Sequence, residues 1–171
     1  MGRKFPIALS PHLPIFYTGV NFMSETIWRP FSTDFQWKDV DVLEYKNDEK
    51  SPFKDVTRQV LFEHPKLACQ WRYFEVAAGG YSTLERHEHV HAVMILRGRG
   101  RCLVGEQVYD IDTHDLITVP PMTWHQFRAT SDEPLGFLCL VNVDRDRPIL
   151  PNEEELAEMK KAGDVAKFLT E

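Results

Sequence analysis

The stretch Gly79-Gly80-Tyr81-Ser82-Thr83-Leu84-Glu85-Arg86-His87-Glu88-His89-Val90-His91 decides how this chain is to be read. Glu85, His87, His89 and His91 alternate, and on a β-strand a period of two sends all four to one face. Three imidazoles and a carboxylate crowded on one buried face are costly if protonated. A divalent cation removes that cost, because it binds neutral imidazole and ionised carboxylate. Another histidine, His125, lies downstream in Val119-Pro120-Pro121-Met122-Thr123-Trp124-His125-Gln126-Phe127. Any one of these histidines alone reads as an ordinary core or surface residue. The cluster, flanked by apolar runs and glycines, does not.

Around this segment, from Trp37 onward, the pattern is one of short β-type runs. They are Asp39–Tyr45, Thr57–Glu63, Cys69–Ala77, Ala92–Leu96, Arg101–Val104, Val108–Ile111, Leu116–Val119, Trp124–Arg128 and Leu135–Val143. Gly79-Gly80, Gly98, Gly100, Gly105 and Pro120-Pro121 separate them, a spacing that indicates an all-β sandwich or barrel. Residues 1–36 are rich in proline and aromatics (Phe16, Tyr17, Phe22, Trp28, Phe31, Phe35). They are expected to form an irregular arm packed on a barrel that spans residues 37–150. Past Pro148 and Pro151, Asn152-Glu153-Glu154-Glu155 supplies an N-cap and an acidic first turn. The C-terminal segment 151–171 is therefore expected as a short amphipathic helix, with Leu156, Met159, Val165 and Leu169 near one face and a break at Gly163.

Composition narrows the function. The 171 residues carry a net charge of −6, with 43% apolar and 27% charged residues. That balance is normal for a globular protein, and the acidity argues against nucleic acid as a partner. No apolar run approaches the roughly 18 residues of a membrane span, and no secretory leader can be drawn at the N-terminus. Cys69, Cys102 and Cys139 make no CxxC pair and leave an odd thiol in any disulfide scheme, which fits a reduced, cytoplasmic protein. Each lies in an apolar stretch, where the ordinary role is a small buried hydrophobe. Arg97-Gly98-Arg99-Gly100-Arg101 reads either as a solvated turn or as a handle for an anionic group.

Residues 72–143 resemble the cupin domain. Its first motif is Gly, five residues, His-x-His, three or four residues, Glu, six residues, Gly. Laying Gly98 on the last glycine puts His91 at the Glu position, His87 at the second His, Glu85 at the first His and Gly79 at the opening glycine. Every spacing is kept, with the first and third ligand types exchanged. The second motif is Gly, five residues, Pro-x-Gly, two residues, His, three residues, Asn. It matches at Pro120 and His125, with His114, Met122 and Ala129 in place of its two glycines and its Asn. The resemblance implies a jelly-roll barrel of two antiparallel sheets enclosing one metal on Glu85, His87, His91 and His125; spacing alone leaves His89 as an alternative to Glu85. Three nitrogens and one oxygen suit a divalent transition metal, with Mn placed first among Mn, Fe, Ni, Co and Zn.

Within that family the histidine segment, the Pro120–Phe127 stretch and Asp144-Arg145-Asp146-Arg147-Pro148 are similar to a bacterial subgroup that includes sulfurylases acting on 1-methylthio-xylulose 5-phosphate. That similarity implies removal of a methylthio group from a ketose phosphate, leaving 1-deoxyxylulose 5-phosphate, with Cys139 or Cys102 as nucleophile and glutathione or another small thiol as acceptor. A metal-dependent dioxygenase and a non-catalytic small-molecule binder are the alternatives. Tyr81, Met94, Trp124, Phe127 and Cys139 are candidates to line the barrel. Arg86, Arg97, Arg99, Arg101 and Arg128 are candidates to hold a phosphate or carboxylate. The aromatic arm and the open sheet edges of such a fold lead to the expectation of a homodimer.

Overall fold

The computed structural model describes residues 27–45, 54–64 and 66–170. Phe16, Tyr17 and Phe22 of the expected arm lie outside them. Among the described residues nine strands run in order: β1 Leu43–Glu44, β2 Lys54–His64, β3 Cys69–Tyr81, β4 His91–Arg97, β5 Gly100–Val104, β6 Gln107–Ile111, β7 Leu116–Val119, β8 His125–Ala129 and β9 Leu135–Asn142. Two short helices follow, α1 Glu153–Met159 and α2 Gly163–Thr170. All pairings between the named strands are antiparallel.

The strands form one curled sheet in the order β6-β5-β8-β3-β9-β4-β7, with β2 also paired to β3. The two expected sheets are thus joined, and β3 joins them. Its first eight residues run against β9 from Cys69↔Asn142 to Val76↔Leu135, whereas its last residue, Tyr81, crosses to Arg128 of β8. Gly79, at φ 69°, lets the strand turn between the two pairings. Side chains alternate as the pleat requires. Val56, Phe74, Val76, Val93, Ile95, Phe127, Phe137, Cys139 and Val141 share one buried cluster inside the curl.

Two of the positions at which the chain departs from the cupin motif's glycines take a backbone conformation that glycine favours. His114 (φ 79°) and Met122 (φ 53°) are left-handed although neither is glycine, a conformation that costs a residue with a Cβ about 1–2 kcal/mol. Both turns are anchored: His114 N–H donates to the Ile95 carbonyl (2.8 Å) and Met122 N–H to that of His87 (2.7 Å). Gly98 keeps its glycine, since at φ 70° an added Cβ would lie 2.2 Å from the Pro134 carbonyl oxygen.

The C-terminal segment is two helices rather than one. Asn152 caps α1 as expected, its Oδ1 accepting from Glu155 N–H (2.8 Å) while Glu155 Oε2 accepts from Asn152 N–H (3.0 Å). Such a cap is worth about 1 kcal/mol. Gly163 begins α2, which buries Val165 and Phe168 against Leu84 and Leu103, with Leu156, Met159 and Leu169 packed around them. Burial of each such apolar side chain contributes roughly 1.5–3 kcal/mol. Of the arm, Phe35 stacks on Tyr73 (5.7 Å) of β3, and Trp37, just past the arm, leans on the same ring (5.2 Å). None of the described helices is long and apolar enough to cross a membrane.

Candidate metal centre

The deciding stretch is not a continuous strand. After β3 ends at Tyr81, residues 82–90 form only isolated bridges, Glu85↔His125 and Arg86↔Ile149, with a bend at Glu88-His89. The chain is held to β8 by local bonds: Ser82 Oγ accepts from Phe127 N–H (2.9 Å) and Gln126 Nε2 donates to the Ser82 carbonyl (2.8 Å). The chain bends at His89, but its ring stays with the cluster, stacked on that of His87 (ring centroids 3.6 Å apart) and near that of His91 (5.0 Å). On its other side Asp146 Oδ1 lies 2.7 Å from His89 Nδ1. Asp146 also accepts from Glu88 N–H (2.8 Å) and His89 N–H (3.3 Å), so one carboxylate ties the whole bend.

His87, His91 and His125 are buried, and their candidate ligand nitrogens all lie within 4.8 Å of one another. His87, His89 and Asp146 form a second, overlapping group at the same spacing. Glu85 is outside the three-histidine cluster, but its backbone exchanges two hydrogen bonds with His125 (3.2 and 3.0 Å). Residues directly opposed in this way project to the same side, and Glu85 lines one cavity with His91 and His125. His91 opens β4 opposite Val119 and enters the cavity two residues before Val93.

Hydrogen bonds at the far side of the rings orient them. His87 Nδ1 lies 2.9 Å from the His89 carbonyl, and His125 Nδ1 lies 3.0 Å from that of Thr123. Each carbonyl fixes a proton on Nδ1 and leaves Nε2 with its lone pair, the tautomer that metal-bound histidines use. The Nε2 atoms of His87 and His91 are buried without a hydrogen-bond partner, which is unfavourable for a polar atom unless something else binds it. Burial, then the neighbouring His125 and His89, push the His87 imidazole down to about 4. Burial first, then His125, His87 and Arg72, lower that of His91 as well. Neutral, oriented imidazoles with orphaned lone pairs fit a divalent transition metal.

Cys139 lies against this cluster. Its sulfur is 3.4 Å from His91 Nδ1 and 3.4 Å from Arg72 Nη2, at 2% exposure. Burial raises its pKa, and the Arg72 guanidinium opposes that rise. Cys102 is also buried, in the apolar cluster opposite Phe127, with its thiol pushed up to about 12 by burial and then Asp115; it does not line the histidine cavity.

Phe127 lines the cavity, as expected, but three other lining candidates do not. Met94 is 40% exposed on the outer face, Trp124 packs under the helices, and Tyr81 lies beneath the Arg128 guanidinium. The five arginines proposed for an anionic group are engaged elsewhere. Arg86 pairs with Glu155, Arg97 with Glu75, Arg99 with Asp112 and Arg101 with Asp110, while Arg128 covers Tyr81 and Phe168. The arginine that does line the cavity is Arg72. Its signal was in the alternation of β3, which places Gln70, Arg72, Phe74 and Val76 on one inward face.

Comparison with known proteins agrees with this architecture. Residues 72–141 match the family described as Cupin domain. A protein of Rhodospirillum rubrum named 1-methylthio-D-xylulose 5-phosphate methylsulfurylase is 53% identical over 142 residues, covering 83% of this chain and 91% of its own. The crystal structure of a cupin 2 conserved barrel domain protein from Rhodopseudomonas palustris is similar at a TM-score of 0.79 and 57% identity, covering 82% of this chain and 97% of that one. A cupin-2 domain structure from Rhodospirillum rubrum is similar at 0.77 and 53%, covering 84% and 96%.

Proposed function

Because this chain belongs to the cupin family, we propose that its histidine cavity is the site of a metal-dependent sulfurylase that moves the methylthio group of 1-methylthio-xylulose 5-phosphate to a thiol. The observation that carries the reading is Cys139 set 3.4 Å from His91 inside the cavity. The name of the 53% identical relative supports it. His87, His91 and His125 would hold the ion, with Glu85, which lines the cavity beside His91 and His125, as the fourth candidate. When bound, the ion supplies Lewis acidity toward a ketone oxygen.

The protein's own groups do the rest. The Cys139 sulfur attacks the thioether sulfur, forming an S–S bond as the C1–S bond breaks. The electron pair of that bond passes to the ketose as an enolate, and the thiol's proton ends on C1, giving 1-deoxyxylulose 5-phosphate. A small thiol such as glutathione then attacks the mixed disulfide, leaves carrying the methylthio group, and returns Cys139 as a thiol. Arg72, donating to Cys139 Sγ, favours the thiolate against the effect of burial. The homodimer belongs to the same reading, supported by the exposed, cross-strand pair Phe62 and Trp71 on β2 and β3.

The test is turnover of metal-loaded protein with the methylthio ketose phosphate and glutathione under anaerobic conditions. Formation of 1-deoxyxylulose 5-phosphate together with the methylthio–glutathione disulfide is expected. Activity that requires O₂, or binding without either product, would overturn the assignment.

A further inference from the structure

Three guanidiniums gather at one end of the barrel interior. Arg58 stands opposite Phe74 on the β2–β3 ladder and Arg72 two residues away on the same face of β3. Both lie over linked rings, Arg72 over Phe74 (5.0 Å) and Arg58 over Tyr45 (5.9 Å), and the two rings meet edge to face at 5.1 Å. Arg145 reaches the same place from the segment after β9. Its Nη1 donates to Gln70 Oε1 (3.3 Å) and to the Asn142 carbonyl (2.8 Å), and Gln70 precedes Arg72 by two on the inward face. Two carboxylates face this group: Glu63, bound by Gln70 Nε2 at 2.5 Å, and Glu85, which lines the cavity with Arg72.

Among the described residues, none of the three forms an ion pair, whereas Arg86, Arg97, Arg99 and Arg101 all do. Arg72 is only 5% exposed, and the Nε atoms of both Arg72 and Arg58 are buried without a hydrogen-bond partner. Burial and the charges of Arg72 and Arg58 together pull the Arg145 pKa below its ordinary value. Like charges drawn out of water with donors unsatisfied are unfavourable unless an anion joins them.

The geometry points to a phosphate-monoester subsite built by Arg58, Arg72 and Arg145, which holds the anionic end of the substrate while its reacting end lies at His91 and Cys139. The planar guanidinium fork matches phosphate oxygens, and a dianion with three free oxygens engages several such forks where a carboxylate offers two oxygens. Arg72 links the two ends, touching Cys139 on one side and facing Arg58 and Arg145 on the other. This rests on the cavity being the substrate site proposed above.

The probe is inorganic phosphate, titrated calorimetrically into the full-length protein with its metal, at constant ionic strength. Saturable binding is expected, weaker for malonate than for phosphate. R58Q and R145Q, at half-buried positions that a glutamine fills without disturbing the core, should each lose about tenfold or more in phosphate affinity with metal content unchanged. Arg72→Lys should retain the charge and recover part of the binding that Arg72→Gln loses. No phosphate binding beyond chloride, malonate binding as tightly as phosphate, or R58Q and R145Q binding phosphate like the parent would overturn the subsite. A protein that holds no metal but still binds phosphate through these arginines would sink the metal reading and leave the subsite standing.

Discussion

Replacing Asp146 with alanine removes three hydrogen bonds from the bend that separates His87 from His91. The carboxylate accepts from Glu88 N–H at 2.8 Å, His89 N–H at 3.3 Å and His89 Nδ1 at 2.7 Å. These bonds hold the carboxyl down to about 2, the His89 side chain being the largest cause. The side chain is 34% exposed, so water replaces much of what is lost and each bond counts at the low end of its range. The total is about 1–2 kcal/mol. That energy is spent on the loop rather than on the barrel, because neither Glu88 nor His89 belongs to a strand. Metal affinity should therefore fall about 5- to 30-fold, within reach of what partners behind metal ligands usually contribute. The melting temperature of metal-free protein should move little. Competition against a chromogenic chelator, paired with a thermal melt of the metal-free form, reads both quantities. D146N, which keeps Oδ1 as an acceptor, should be intermediate. Parental metal affinity in D146A, or a large loss of melting temperature without metal, would refute the assignment of this carboxylate to the loop.

Other outcomes follow from the same geometry. His87→Ala and His125→Ala should each purify with little metal, because each removes a donor from the three-histidine cluster; undiminished metal content in both would contradict the ligand set. Metal-free protein should lose stability as pH falls from about 6.5 toward 4. Over that range the unfolded His87 takes up a proton near 6.5 that the folded ring, at about 4, refuses; melts in buffers from pH 8 to 4 should be flat above the window and fall within it. His114→Gly should stabilise the protein by about 0.5–1 kcal/mol, since His114 holds φ 79° on an exposed turn; a glycine variant that unfolds at lower denaturant would argue that the His114 side chain contributes more than its strain costs.

Most of the barrel was legible in the sequence because its strands alternate and end on glycine or proline. Leu116–Val119 matches the expected span residue for residue, and the other strands differ at their ends. β1 is the exception, shrunk to Leu43–Glu44 from an expected Asp39–Tyr45: those two residues pair in register with β2, and Tyr45 adds one hydrogen bond to the Val56 carbonyl (3.0 Å). The break expected at Gly163 falls immediately before it, and it divides the helical segment into α1 and α2, with Gly163 starting the second. At the site, the gathering of His87, His89, His91 and His125 could be picked out by spacing, but not the contact of His89 with Asp146. Alternation is a local rule, and the bend is made by Asp146, 57 residues away. The arginines were misassigned for a related reason. Arginine-rich turns catch the eye, yet Arg99 and Arg101 pair with Asp112 and Asp110, which the hairpin brings opposite them. The interior Arg72 carries only the quieter signal of its place in the inward alternation of β3.

The central claim, a metal-centred cavity whose thiol accepts the methylthio group, is tested most directly by intact-protein and peptide mass spectrometry. The measurement is made on metal-loaded protein exposed to the methylthio ketose phosphate with no small thiol present. One methylthio group should appear on the peptide carrying Cys139, disappear on adding glutathione, and be absent in Cys139→Ser while Cys102→Ser still acquires it. Cys139→Ser should keep its metal, since the sulfur lies against His91 Nδ1, whereas His91 Nε2 is the nitrogen left without a partner. An unmodified Cys139 alongside full turnover, or full turnover by metal-loaded Cys139→Ser, would contradict the account.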